Sequence, residues 1–417
     1  MTTLSDLSVD LVGEIFSRVP LISLSAVRYT CKTWNALSWN VFSENLVFGK
    51  AATSKQFLGF VTVGYSLCSL RLDLQGIRND DFVGPSIKQI DLLEENTISN
   101  VIHCDGLLLC VVGQDETSRK LMVWNPYLGG PFRWIKPRFK SQKFHRLDMF
   151  AFGYDNNNNN RDHKILWKFL GHDDYKEIGY KNIPSYYEIY GFNSSSWRVL
   201  DVNPDCDLQS SVSLKGNTYF FARRIQKVGE VVASEMIGFL LCFDFTTERF
   251  GERLPLPFHT NYDVPRHVIL SCVREEKLAV LYQGYETCSL IEIWITTKIE
   301  PCEVSWIKFL RVERTSLSEF RVGRSFFIDE ENKVVVVSES PRYRWNETCQ
   351  YETAYIIGQD GYSKPVRIGD GHLWEADKNG YCDPIVFSSY VPSLVPAAQI
   401  NQVVLLGKRK EKDYYYY

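Results

Sequence analysis

Long apolar runs are missing from this 417-residue sequence. Nothing approaches the roughly 18 residues that a membrane-crossing helix needs, so no membrane association is expected. A basic, apolar leader is missing too: the chain starts Met1-Thr2-Thr3, and no export signal is expected. A strong charge of either sign is also lacking. A net charge of −3 offers no reason to expect nucleic acid or an anionic membrane as partner. No two of the 11 cysteines stand as Cys-x-x-Cys. They are scattered and odd in number, and Cys110, Cys242 and Cys272 lie in apolar runs, where a thiol acts as a small buried hydrophobe. With no export signal, this usage fits the nucleus or the cytoplasm, where the sequons Asn193-Ser194-Ser195 and Asn346-Glu347-Thr348 stay unused.

Catalytic signatures are missing as well. There is no Gly-x-Ser-x-Gly elbow, no His-Glu-x-x-His and no Gly-x-x-x-x-Gly-Lys phosphate loop. His103-Cys104-Asp105 is the one tight cluster of His, Cys and acid. Read as strand, it turns His103 and Asp105 to one side and Cys104 to the other, so the three form no local nucleophile–base pair. His259 and His267 read as members of a polar, Pro-containing loop without further metal ligands. His172-Asp173-Asp174 lacks the third and fourth oxygen donors of a cation site. The expectation is a chain with no catalytic residues, no metal and no cofactor.

What is present begins with two short helical patterns meeting at Pro20. Leu11, Ile15 and Val19 recur every fourth residue beside Val12 and Phe16, which makes one apolar face. Ser8 can cap the first turn, with Asp10 near the positive end of the helix dipole, and Pro20 ends the helix. Ser23 can cap a second helix, on which Leu24, Val27, Cys31 and Trp34 share a face. Helices this short are marginal alone. So much apolar surface suits either a cap on the following domain or a docking module for another protein.

Leu7-x-x-Asp10-Leu11-x-x-Glu14-Ile15-x-x-Arg18-Val19-Pro20, then Leu24-x-x-Val27-Arg28-x-x-Cys31-Lys32-x-Trp34, resembles an F-box. Ser8 stands where that family commonly has proline, and serine also starts helices well. Gly13 inside the first helix costs up to about 1 kcal/mol relative to alanine. The resemblance implies a three-helix unit that binds the Skp-type adaptor of a cullin–RING ubiquitin ligase. It carries adaptor binding or internal packing onto Leu7, Leu11, Ile15, Val19, Pro20, Leu24, Val27, Arg28, Cys31, Lys32 and Trp34.

From about Gln56 the texture changes to short runs of Val, Ile, Leu, Phe and Tyr separated by Gly, Asn, Asp and Pro, which predicts β structure. A loose repeat runs through it. Leu121–Tyr127 is followed by Trp134-Ile135, and Tyr187–Asn193 by Ser196–Leu200. Leu240–Thr247 is followed by Phe250, Ile291–Ile295 by Val304–Lys308, and Thr353–Gly358 by Pro365–Ile368. Ser69–Leu74 reads as a degenerate first copy, and strands such as Val268–Val273 precede the pairs. A period of roughly 50–65 residues predicts a propeller of about six blades, against a pair of β-sandwiches as the alternative.

Cys104-Asp105-Gly106-Leu107-Leu108, Trp124-Asn125-Pro126-Tyr127, Phe152-Gly153-Tyr154-Asp155, Phe243-Asp244-Phe245-Thr246 and Leu254-Pro255-Leu256-Pro257 resemble the recurring phrases of the plant F-box-associated interaction domain. The expected organisation is therefore α+β and multidomain. An F-box at residues 1–46 precedes an all-β, propeller-like domain at 47–406, and 407–417 form a disordered tail. The resemblance implies a non-catalytic substrate receptor of an Skp–cullin–F-box ligase, partnered with the adaptor, through it with cullin, and with an unidentified protein target. The alternative is a propeller that binds a small molecule or glycan, with the helices as a cap. The basic-aromatic run Arg342-Tyr343-Arg344-Trp345-Asn346 could be a contact loop or a solvated edge.

Overall fold

Runs such as Leu107–Val112, Leu278–Tyr282 and Val334–Val337 are apolar at every position, not at alternate ones. A strand with that pattern must be covered on both faces. The structure, a computed structural model, satisfies this with sheets stacked side by side around an axis. It describes Leu11, Val12 and Ile15, and residues 56–397 except 64–65, 75–83, 91–96, 114–118, 127–131, 139–143, 146–147, 158–160, 171–184, 229–232, 259–264, 285–289, 314–321, 340–350, 371–387, 392, 394 and 396.

Blade 1 holds β1 (Gln56–Val63), β2 (Ser66–Asp73) and β3 (Ser86–Gln89). Blade 2 holds β4 (Ile98–Cys104), β5 (Leu107–Val112), β6 (Lys120–Trp124) and β7 (Arg133–Ile135). Blade 3 holds β8 (Met149–Asp155), β9 (Asp162–Leu170), β10 (Ser185–Gly191) and β11 (Ser196–Val199). Blade 4 holds β12 (Asp207–Leu214), β13 (Asn217–Val228), β14 (Ala233–Asp244) and β15 (Arg249–Leu254). Blade 5 holds β16 (Pro265–Val273), β17 (Lys277–Gly284), β18 (Leu290–Glu300) and β19 (Glu303–Glu313). Blade 6 holds β20 (Val322–Asp329), β21 (Val334–Glu339), β22 (Tyr351–Gly358) and β23 (Ser363–Asp370). The last strand, β24 (Ser388–Ser389), pairs with β1 through Gly59↔Ser389 and Phe60↔Ser388. It completes blade 1 as β24-β1-β2-β3, so each sheet has four antiparallel strands.

The molecule is a six-bladed β-propeller, and the sandwich alternative falls. The repeat seen in the sequence is the outer hairpin of each blade: β6–β7, β10–β11, β14–β15, β18–β19 and β22–β23. Ser69–Leu74 spans most of β2, its counterpart in blade 1, and Val268–Val273 lies in the inner strand β16.

The cores lie between blades. Along β5, Leu107, Leu109 and Val111 pack toward blade 3, while Leu108, Cys110 and Val112 pack toward blade 1. Along β21, Val335 and Val337 face blade 5, and Val334 and Val336 face blade 1. Each sheet interface thus has its own cluster, those of blades 3–4 and 4–5 included. Burial of apolar area at roughly 25 cal/mol per Å² drives each one, so a blade is stable only with both neighbours present.

Antiparallel order gives the propeller two unlike faces. The turns after each blade's first and third strands lie on one side, the hairpin face. Most are two to four residues, such as Asp105-Gly106 and Lys215-Gly216. The turns after second strands, and the connections between blades, lie on the other side, the loop face. Many of these stretches are longer, such as 136–148, 171–184, 314–321, 340–350 and 371–387, whereas 64–65 and 229–232 are short. Both β1, entered from the N-terminal side, and β24, leaving toward Ala397, have their outward ends on the hairpin face.

Candidate functional site

Of the residues carried over to adaptor binding, Leu11 and Ile15 are described. Both lie in helical backbone with Val12 between them, and all three fit the expected first helix. Val12 is 3% exposed, whereas Leu11 is 51% and Ile15 37% exposed. Leu11 and Ile15 are one turn apart and share a face. Of these three residues, Val12 is therefore buried and Leu11 and Ile15 are exposed on one side. Leu7, Val19, Pro20, Leu24, Val27, Arg28, Cys31, Lys32 and Trp34 lie outside the described residues, as do His172-Asp173-Asp174, His259, Arg342–Asn346 and the tail.

On the hairpin face, the family phrases turn out to be joints. Asp105 and Gly106 form the two-residue turn between β4 and β5, both at positive φ (53° and 72°). Asp-Gly suits such a turn because both central residues are left-handed. A Cβ on Gly106 would overlap Ser393, whose Oγ donates to Asp105 O at 2.5 Å. Asn125, at the end of β6, donates through Nδ2 to Ser393 O (3.0 Å) and Val395 O (2.7 Å). The segment after β24 is thereby tied to blade 2. Gly153 in Phe152-Gly153-Tyr154 admits Phe245 and the carbonyl of Gly216 from blade 4, where any Cβ would collide.

Asp105 is thus a turn residue and does not share a strand face with His103, which corrects the strand reading. The two side chains take different partners. His103 Nε2 accepts from Gly106 N (3.2 Å), which leaves the ring proton on Nδ1, 3.2 Å from Glu275 Oε1. Glu275 lies in the β16–β17 turn of blade 5, so this pair spans from blade 2 to blade 5. Asp105 Oδ1 accepts from Arg161, and Oδ2 lies 3.3 Å from His163 Nε2, both from blade 3. Burial opposes ionisation of Asp105, but His163 and Arg161 outweigh it and hold the carboxyl below its ordinary range. Burial, reinforced by the charge of Asp105, pushes Glu275 up to about 7. Arg161 also stacks over Tyr154, its guanidinium carbon 4.6 Å from the ring centre.

This cluster joins three blades at one end of the propeller. Its arrangement is that of a clamp. The five side chains form one pair, His103 with Glu275, and one separate trio, Asp105 with Arg161 and His163, and among the described residues no group of three His, Cys, Asp or Glu could hold a metal ion. Burial raises the Cys104 thiol well above its ordinary value and pushes Cys272 up to about 12, so neither supplies a thiolate at neutral pH. Glu275, Arg161 and His163 carry no sequence signal, since they meet His103 and Asp105 only through the ring of blades. His267 is a further correction. It belongs to β16, opposite Gln283, where Pro265 opens the strand ahead of a bulge.

The loop face has a cleft of about 310 Å³ on the side of blade 4 that faces blade 3. β15 ends at Leu254 opposite Leu240, so Ile237, Gly238 and Phe239 of β14 run past it. They form the lining with Arg224, Arg253, Leu254 and Pro255. Arg253 lies over the Phe239 ring at 4.8 Å.

Comparison with known proteins agrees with this architecture. A family model for the F-box associated beta propeller domain matches residues 58–397, and one for the F-box domain matches residues 4–42. An F-box protein of Arabidopsis thaliana is 51% identical over 400 residues, covering 95% of this chain and 100% of its own. An F-box/kelch-repeat protein of the same plant is 49% identical over 422 residues, covering 99% of this chain and 100% of its own. Among solved structures, that of YjhT is 10% identical with a TM-score of 0.37, covering 75% of this chain and 98% of that one, a likeness too distant to bear on activity. A propeller with six interlocked blades, preceded by a segment with the F-box pattern, makes this chain a member of the F-box proteins that carry an F-box associated β-propeller domain.

Proposed function

We propose that this chain is the substrate-recognition subunit of an Skp–cullin–F-box ubiquitin ligase. The observation that carries the reading is the union, in one chain, of an F-box match at residues 4–42 with a propeller match at 58–397. In this reading residues 1–46 form the three-helix unit that binds an Skp-type adaptor and, through it, a cullin. The propeller holds a protein target, and the chain does no chemistry itself. It raises the effective concentration of the target's lysines near the ubiquitin-charged enzyme. Free thiols at Cys68, Cys104, Cys110, Cys242 and Cys272 support a reducing compartment such as the nucleus or the cytoplasm.

The two faces divide this work. Chain entry into β1, the short turns and the buried clamp occupy the hairpin face, where substitutions disturb joints between blades. The longer connections leave from the loop face, where sequence can change without disturbing a blade. Target recognition is therefore assigned to the loop face. The test is binding of the purified full chain to an Skp-type adaptor by calorimetry, with Val19→Asp and Leu24→Asp as variants. A charge on a buried apolar interface costs several kcal/mol. The expected result is sub-micromolar binding, weakened at least about 100-fold in folded variants. A folded wild-type chain that binds no adaptor would overturn the reading.

A further inference from the structure

Two arginines, Arg224 and Arg253, line the cleft on blade 4, and further ion pairs lie beside them. Arg224 pairs with Asp205 at 2.6 Å. Asp207 is shared: Arg223 approaches it at 3.1 Å and Lys168, from blade 3, at 3.9 Å. Gln209 also donates to Asp207, at 2.5 Å. Arg253 meets no carboxylate among the described residues and rests on Phe239. Among the described residues, the two lining arginines therefore face one paired carboxylate, that of Asp205. Lys168 is held among apolar neighbours, and burial lowers its pKa below the ordinary lysine value despite Asp207. An added negative charge here would meet an arginine already positioned by its aromatic platform. Beside these charges lies the apolar lining of Ile237, Phe239, Leu254 and Pro255.

We propose that this cleft, on blade 4 at the loop face, docks an acidic peptide segment of the target protein, with an apolar or aromatic residue next to its carboxylates. The proposal rests on the receptor reading above and adds where the target sits and which chemistry selects it. The arginines supply charge-assisted hydrogen bonds to the carboxylates, and the apolar lining takes the neighbouring side chain. A basic segment is repelled by the same surplus, which makes the site selective as well as attractive.

The experiment measures fluorescence anisotropy of a labelled random copolymer of glutamate and tyrosine with the full chain. Glutamine–tyrosine and lysine–tyrosine copolymers are the controls. Arg224 and Arg253 are exposed, so Arg253→Gln, Arg253→Glu and Arg224→Gln should fold normally. Arg274→Gln, an exposed ion-pair residue on the hairpin face, is the matched control. The expected result is binding of the acidic copolymer alone, weakening as salt shortens the screening length. Arg253→Gln should lower affinity about tenfold and Arg253→Glu about 100-fold, with Arg274→Gln unchanged. Equal binding of the glutamine copolymer, or equal losses in Arg253→Glu and Arg274→Gln, would overturn the proposal. Adaptor binding is measured on the same proteins. Adaptor binding with an Arg253-independent acidic probe sinks the cleft proposal alone. Arg253-dependent binding without the adaptor upholds the cleft and sinks the receptor reading.

Discussion

Glu275→Gln should flatten the fall in stability that the wild-type protein shows as pH rises from about 5 to 8. Glu275 sits in the β16–β17 turn with its carboxyl 3.2 Å from His103 Nδ1. Burial and the nearby Asp105 charge raise its pKa from 4.5 to about 7. The folded state therefore holds this proton more tightly than the unfolded chain does. Its contribution to stability is complete below about pH 4.5 and is lost as pH rises through about 7. One pKa unit corresponds to about 1.4 kcal/mol, so the shift amounts to about 3 kcal/mol. The side chain keeps 27% exposure, which makes this an upper bound. Glutamine cannot ionise, yet its amide oxygen still accepts from His103 Nδ1. Urea unfolding followed by tryptophan fluorescence at pH 5, 6, 7 and 8 reads the difference. The wild type should lose about 2–3 kcal/mol more than the variant across that range. Parallel curves for the two proteins would refute the assignment of this titration to Glu275. Asp105, one contact away, works in the opposite sense. Its depressed pKa contributes stability above its unfolded value of 3.8, lost as pH falls through the folded value.

Two further joints on the hairpin face give separate predictions. Lys164→Ala should destabilise the propeller by about 3–4 kcal/mol in thermal melts, because the buried ammonium binds Asp155 (3.2 Å), Glu248 (2.9 Å) and Phe245 O (3.0 Å) across blades 3 and 4. Asn125→Asp keeps the shape of the side chain but loses both donors to Ser393 O and Val395 O. It should cost about 2–3 kcal/mol and speed amide exchange in β24, whereas an effect spread evenly over all blades would argue against a local tie.

The family phrases acquire a physical meaning from this geometry. Asp105-Gly106 is a left-handed turn with the C-terminal segment packed against it. Asn125 grips that segment, and Gly153 opens space for blade 4. None of these side chains needs to touch a partner to be required. Among the described residues, the strand pairing that closes the ring is that of β24 with β1, beside the apolar core between blades 6 and 1, so blade 1 depends on contacts between the two ends of the domain.

The sequence by itself determined the blades. Apolar runs such as Leu107–Val112 and Val334–Val337 demand cover on both faces, and the repeat of strand pairs sets about six of them. Asp-Gly marks a tight turn, because its backbone preference is local. The pattern of Leu11, Ile15 and Val19 likewise announces an amphipathic helix. What only the tertiary structure decided is which distant side chains meet. His103 of blade 2 and Glu275 of blade 5 come together, and Lys168 and Asp207 meet at the seam between blades 3 and 4. His267 looked like loop because proline and polar neighbours hide a strand that is defined by its partner Gln283. The physical reason is one of range. Strand and turn preferences act over a few residues, whereas charge pairing and burial act between groups that the chain separates widely and only the closed ring brings together.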